Sequence, residues 1–349
     1  MASLTPTLSR RERGQASLMR AAIVGIGGIG LEGAEAALFR RLPPAGVILF
    51  GRNIESPGQV RTLTDALRAV LPAGAVVAVD QEGGRVARLR PPHWMAHPAA
   101  GRIGALHGRD AGGGLRAAWL TGALIGAECS AAGIGVVCAP VLDLRVLGAH
   151  DVVGDRSYGA DPADVAALGR AAAAGLMAAG VQPVGKHAPG HGRALVDSHL
   201  GLPGVPADQD LSDDIQPFAA NADLPWMMTA HLLYHGWDRE RPGTLSPLVI
   251  GGVIRGRIGF RGVLVSDDLA MRALDGAPGT LAAAAVAAGC DLALHCTGVL
   301  AETEAVLDGV PDVTALTLGR MAAGLARAAA ACERLDVRAL AAERDQLLA

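Results

Sequence analysis

Short runs of aliphatic and β-branched residues recur along this chain, each bounded by Gly, Pro or a polar residue. They are AAIVGIG (21–27), GVILFG (46–51), AVVAVD (75–80), IGVVCAPVLDL (134–144), VQPVGKH (181–187), LPWMMTAH (224–231), GVLVSDD (262–268) and DLALHC (291–296). Their length and their boundaries predict buried strands. Between them lie Ala/Leu-rich stretches with helical periodicity, such as GLRAAWLTGALIGAECSAAG and ADVAALGRAAAAGLMAAG. Strand and helix alternating along one uninterrupted chain mean parallel strands joined by crossover helices. Eight such units with no two-halves signal predict an α/β fold, a closed (β/α)8 barrel of the TIM type. No linker or low-complexity tract divides the chain, so one domain is expected over 1–349. A polar leader is expected over 1–20 and a C-terminal helical segment over 310–349.

This pattern gives the polar residues a place. Asp80, Asp143, His187, His231 and Asp267 each fall at or near the C-terminal end of an expected strand. Barrel active sites are assembled at that face from several strand ends. A purely structural origin would scatter polar residues over both ends.

Composition narrows the function class. The chain has 349 residues, half of them apolar, which suffices for a large core. A net charge of −3 gives no reason to expect nucleic acid or an anionic membrane as partner. Five scattered cysteines without a C-x-x-C suit reduced thiols in a cytoplasm better than a disulfide framework. The twin arginines of SRRERG and the apolar run AAIVGIGGIG lack a small-residue cleavage site, and the run is too short to span a bilayer. A soluble, unexported protein is expected. GIGGIG (25–30) fits a dinucleotide fingerprint in form, but the second strand ends at Gly51 and Arg52 with no acid for a ribose. No cofactor is expected.

Four stretches carry chemistry. In DQEGGRVARL (80–89), Asp80 precedes a glycine turn and Arg85 and Arg88 follow it; the acid either accepts from sugar hydroxyls or pairs with an arginine to tie the loop down. In VVGDRSYG (152–159), Arg156 either clamps a ligand or caps a helix. In GFRGVLVSDDLAM (259–271), a strand runs into Asp267 and Asp268. A carboxylate held rigidly at a barrel mouth suits an attacking nucleophile, with its neighbour capping the following helix. His231 in MMTAHLLY (227–234) is at another strand end, where a buried, satisfied histidine competes with any functional role.

GKHAPGHGRALVDSH (185–199) is the densest of the polar stretches. His187 and His191 have zinc-ligand spacing only if they lie on a helix, and Pro189, Gly190 and Gly192 argue against one. Asp197 and His199, two apart in an extended segment, share a side and favour a carboxylate–imidazole bond that raises the histidine pKa. The residues favour acid/base chemistry, with a metal-dependent barrel hydrolase left open.

Taken in order, DQEGGRVARL, GDRSYG, KHAPGHG…DSHLGLP, MTAHLLY and GVLVSDDLAM resemble glycoside hydrolase family 3, and within it the single-domain bacterial β-N-acetylhexosaminidases. The resemblance spans about residues 21 to 300. It implies Asp267 as nucleophile, His199 as general acid and base with Asp197 orienting it, and Asp80, Arg88, Arg156, Lys186 and His187 as residues holding a terminal N-acetylglucosamine. It further implies a retaining reaction without metal, on cell-wall muropeptides carrying β-1,4-linked N-acetylglucosamine on anhydro-N-acetylmuramic acid, in cytoplasmic peptidoglycan recycling. Two departures stand out: Ala188 replaces the family's phenylalanine, and RAL (193–195) fills a commonly polar stretch. Transfer to phosphate on the same fold, and a non-catalytic sugar-binding barrel, are the remaining rivals. Aglycone preference and oligomeric state are not readable from the sequence.

Overall fold

The computed structural model describes residues 19–194 and 201–349. Eight parallel strands close into a barrel: β1 Arg20–Gly25, β2 Pro44–Leu49, β3 Val76–Val79, β4 Val136–Val137, β5 Gln182–Ala188, β6 Trp226–Thr229, β7 Val263–Asp268 and β8 Leu292–His295. Each pairs with its sequence neighbours, and β1 pairs with β8 to close the ring. All eight expected runs contain a strand, and the TIM-type barrel is borne out. The first strand begins at Arg20, and Met19 is buried, so the ordered barrel already includes the last two positions assigned to the leader. Residues 1–18 lie outside the described residues.

Apolar continuity, rather than alternation, is what commits these runs to a closed parallel sheet. Every residue of β2 is buried, as are all of β5 and β6. Strands covered by helices outside and side chains inside have no face left for solvent. Helices Ala111–Ala131 and Pro162–Ala178 show how the cover is fastened. Asp110 and Asp161 cap their N-termini, accepting from Gly113 N and from Ala163 and Asp164 N. A Cβ on Gly122 would sit 2.1 Å from the Ala172 carbonyl, and one on Gly175 equally close to that of Trp119. Glycine there lets the two backbones touch.

The GIGGIG turn after β1 is held by side chains that follow β2. Arg52 donates to the carbonyls of Ile26 and Cys296, and Asn53 Nδ2 to those of Ile26 and Gly28. These bonds tie the β1, β2 and β8 ends at the barrel seam. Beyond β8, helix Leu300–Gly309 comes first, and helices Ala315–Ala331 and Val337–Leu347 lie within 310–349. Among the described residues no helix is long and apolar enough to cross a membrane.

Candidate active site

At the C-terminal mouth of the barrel lies a cavity of about 150 Å³, lined in part by Asp80, Arg88, Arg156, Lys186, His187 and Asp267. Its wall over β3, β4 and β5 is a chain of opposite charges. Arg88 Nη2 donates to Asp80 Oδ2 at 3.2 Å, and Lys186 Nζ to Asp80 Oδ1 at 2.8 Å. Lys186 Nζ is also 2.7 Å from Glu82 Oε1. Glu82 in turn takes both arms of Arg156, Nε on Oε2 and Nη2 on Oε1, each at 2.8 Å. Arg156 Nη2 lies 3.5 Å from His187 Nε2, and His187 Nδ1 is 2.7 Å from Asp143 Oδ2. The Arg88 guanidinium also stacks 5.0 Å from the centre of the Phe50 ring, a cation–π contact that fixes its plane.

These groups stay charged because they are paired. Burial alone would raise the carboxyls of Asp80 and Glu82; Lys186 with Arg88 for the first, and Lys186 with Arg156 for the second, hold both below the usual carboxylate range. Burial likewise opposes the charge on Lys186, and Asp80 and Glu82 more than restore it. Breaking such a pair strands a charge in the interior, which costs about 3–5 kcal/mol.

The 80–89 loop reaches this geometry through a tight turn. Gly83 has φ +95° and Gly84 φ +55°, and a Cβ on Gly83 would lie 2.3 Å from the Pro98 carbonyl. Arg85 points away from the cavity chemistry: it pairs with Asp155 and donates to the carbonyls of Asp151, Val152 and Val153. The loop-tying role therefore belongs to Arg85, whereas Arg88 and Asp80 pair inside the cavity. Arg156 is neither a helix cap nor unengaged; Glu82 holds it.

Opposite that wall, β7 delivers Asp267. Asp268 N donates to Asp267 Oδ1 at 2.8 Å, leaving Oδ2 without a protein partner among the described residues. Burial pushes the Asp267 carboxyl up, but His187, His231, the Asp268 N–H and Lys186 outweigh it and bring it down to about 2. The group is therefore an ionised carboxylate, half pinned and half open to the cavity. Asp268 accepts from Ala270 N and Cys296 N. It caps a short turn and ties β7 to the end of β8; the following helix starts only at Pro278, which corrects the expected helix cap.

The polar stretch after β5 is not helical. β5 ends at Ala188, and the His187 and His191 rings meet edge-on with centroids 5.5 Å apart. Helical zinc-ligand spacing is thus removed by the backbone itself. Asp143 organises this segment, accepting from His187 N, His187 Nδ1 and His191 N. Tyr234 Oη donates to Gly190 O at 2.8 Å, and Arg193 Nε to Asp214 at 2.8 Å. Ala188 is wholly buried, and the segment's base is anchored by Asp143, Tyr234 and Arg193 without an aromatic at 188. Asp197 and His199 lie outside the described residues.

The structure brings Asp80, Arg88, Arg156, Lys186, His187 and Asp267 around one cavity. Glu82 and Asp143 were missed as site members. Asp143 stood at a strand end in the sequence. Glu82 sat inside DQEGG, where only its chain neighbours could be judged. His231 is the satisfied histidine, with Nδ1 on Thr244 Oγ1 and Nε2 on the Asp268 carbonyl.

Known proteins resemble the chain over most of its length. The model for the glycosyl hydrolase family 3 N-terminal domain matches residues 31–327. A beta-hexosaminidase of Alkalilimnicola ehrlichii is 42% identical over 297 residues, covering 83% of this chain and 84% of that protein. One of Bordetella avium is 40% identical over 258 residues, covering 72% and 73%. Among solved structures, NagZ from Neisseria gonorrhoeae in complex with N-trifluoroacetyl-D-glucosamine superposes with a TM-score of 0.84 at 31% identity, covering 95% of this chain and 98% of that one.

Proposed function

Because the chain belongs to glycosyl hydrolase family 3 and is a glycoside hydrolase of the β-hexosaminidase class, we propose that it is a retaining exo-β-N-acetylhexosaminidase. Its substrate in this reading is the non-reducing N-acetylglucosamine of β-1,4-linked muropeptides ending in anhydro-N-acetylmuramic acid, and its setting is cytoplasmic cell-wall recycling. The observation that carries the mechanism is Asp267: ionised, rigidly placed at the mouth of β7, with one oxygen pinned and one open.

In the first step Asp267 Oδ2 attacks the anomeric carbon through an oxocarbenium-like transition state. The glycosidic bond breaks, and His199, oriented by Asp197, gives its proton to the departing oxygen. Water then attacks the glycosyl ester and passes a proton back to His199, releasing the sugar with its configuration retained. Asp80, Arg88, Arg156, Lys186 and His187 hold the sugar hydroxyls and acetamido group. The small cavity supports an exo mode, since it suits one sugar unit and not a chain, well under the roughly 300–1,000 Å³ of common ligand pockets. The bound sugar in the gonococcal NagZ structure supports the N-acetylglucosamine preference.

The test is mass spectrometry after treatment with a fluorinated N-acetylglucosamine-type inactivator. Label on the peptide at Asp267 is expected; label elsewhere, or none, overturns the mechanism. His199→Ala should slow hydrolysis of unactivated disaccharide about 10²–10⁴-fold, with a smaller effect on aryl substrates that need no protonation.

A further inference from the structure

Thr229, His231, Thr244 and Ser266 are wholly buried behind Asp267, and the reaction steps use none of them. Their polar atoms close a ring around the end of β7. Asp267 N donates to Thr229 Oγ1 at 3.3 Å, and the Thr229 and Thr244 hydroxyls are 2.7 Å apart. Thr244 Oγ1 is 2.7 Å from His231 Nδ1, and His231 Nε2 is 3.0 Å from the Asp268 carbonyl. The ring is completed by the backbone from 267 to 268. Ser266 Oγ donates to the Asp267 carbonyl at 2.8 Å from the other side.

One direction in this ring is fixed. The Asp268 carbonyl can only accept, so His231 Nε2 carries a proton and donates. Nδ1 shares a proton with Thr244, whichever of the two holds it. The imidazole therefore spans from the segment after β6 to the end of β7 and sets the position of Asp268. Asp268 N is the group that pins Asp267 Oδ1. Moving the Asp268 backbone turns the carboxylate and swings Oδ2 away from its line of attack.

We propose that His231 is a positioning residue for the glycosylation step, holding the end of β7 so that Asp267 presents Oδ2 to the sugar. This rests on Asp267 acting as the nucleophile. The imidazole acts electrostatically on Asp267 and bonds the Asp268 carbonyl, so its bonds are made beside the reacting carboxylate.

The experiment measures the first-step rate with an aryl N-acetylglucosaminide, and the inhibition constant of N-acetylglucosamine, for His231→Ala, His231→Gln and His231→Asn. Glutamine places an amide N–H near the Nε2 position and can still reach the Asp268 carbonyl. Asparagine places its carbonyl near Nδ1 and cannot. His231→Ala should lose about 10²-fold in first-step rate, the scale of a misplacement near 1 Å, with the sugar inhibition constant within about threefold of wild type. Glutamine should restore most of the rate and asparagine little. A wild-type rate in His231→Ala, or equal loss in all three variants with sugar binding weakened in parallel, overturns the proposal. Should the alanine variant fail to fold, Thr244→Ser against Thr244→Val reads the same ring: serine should keep the rate and valine lose it, and a wild-type rate in valine overturns the proposal. If wild-type protein is labelled on Asp267 while the His231 variants react normally, this proposal alone fails. Label on another residue removes the nucleophile assignment instead.

Discussion

The two sides of the cavity are built on different principles. Over β3 to β5 the wall is ionic: Arg88, Asp80, Lys186, Glu82 and Arg156 form an alternating chain in which each charge answers the next. Around the end of β7 the support is made of hydroxyls, an imidazole and backbone groups. In the proposed mechanism the difference follows from what each side must do. Groups that hold sugar hydroxyls benefit from full charge, and several charges can be buried together only if they neutralise one another. A nucleophile needs its own charge left available, so its frame must place it without pairing away both oxygens.

The two sides should therefore fail differently. The largest effect is expected where both converge: Asp267→Asn should lower turnover about 10⁴-fold or more, with little change in melting temperature, checked by steady-state kinetics and thermal denaturation on one preparation. On the ionic side, Glu82→Gln leaves Lys186 and Arg156 short of a counter-charge, and should cost about 3–5 kcal/mol of stability. Denaturant unfolding reads this loss, and KM should rise with it; an unchanged midpoint would mean that Glu82 is not the tie between the two cations.

A smaller effect reads the side over β3 to β5 by pH. The buried His191 imidazole is held down to about 4 from an ordinary value of 6.5, chiefly by burial and then by His187. Between those values the unfolded chain takes up a proton that the native protein refuses, so stability should fall as pH drops from 6.5 toward 4. The depressed carboxyls of Glu82, Asp80 and Asp143 act lower down. Their contribution is fully present above the ordinary carboxylate values and is lost as pH falls through the native ones. Melting temperature against pH should show two stages of loss. His191→Gln should flatten the first and Glu82→Gln the second.

The sequence by itself determined the barrel and the end of it that matters. Eight apolar runs long enough for strands but without alternation leave little choice but a closed parallel sheet, and the polar residues ending them mark its C-terminal face. Asp80, His187 and Asp267 could be picked out on that ground, because a strand end is a local property; Lys186 was marked only by the family resemblance. Partnership is not local. Lys186 meets Asp80 across 106 positions, Arg156 meets Glu82 across 74, and His187 meets Asp143 across 44. Which acid answers which base is decided only when the strands close into a ring. Nothing in DQEGG marks Glu82 as the link between two cations, and nothing in MTAH shows that its histidine reaches past its own strand to hold the end of the next one. Those contacts exist because barrel closure brings distant strand ends within hydrogen-bonding range, and burial there makes an unpartnered polar group costly.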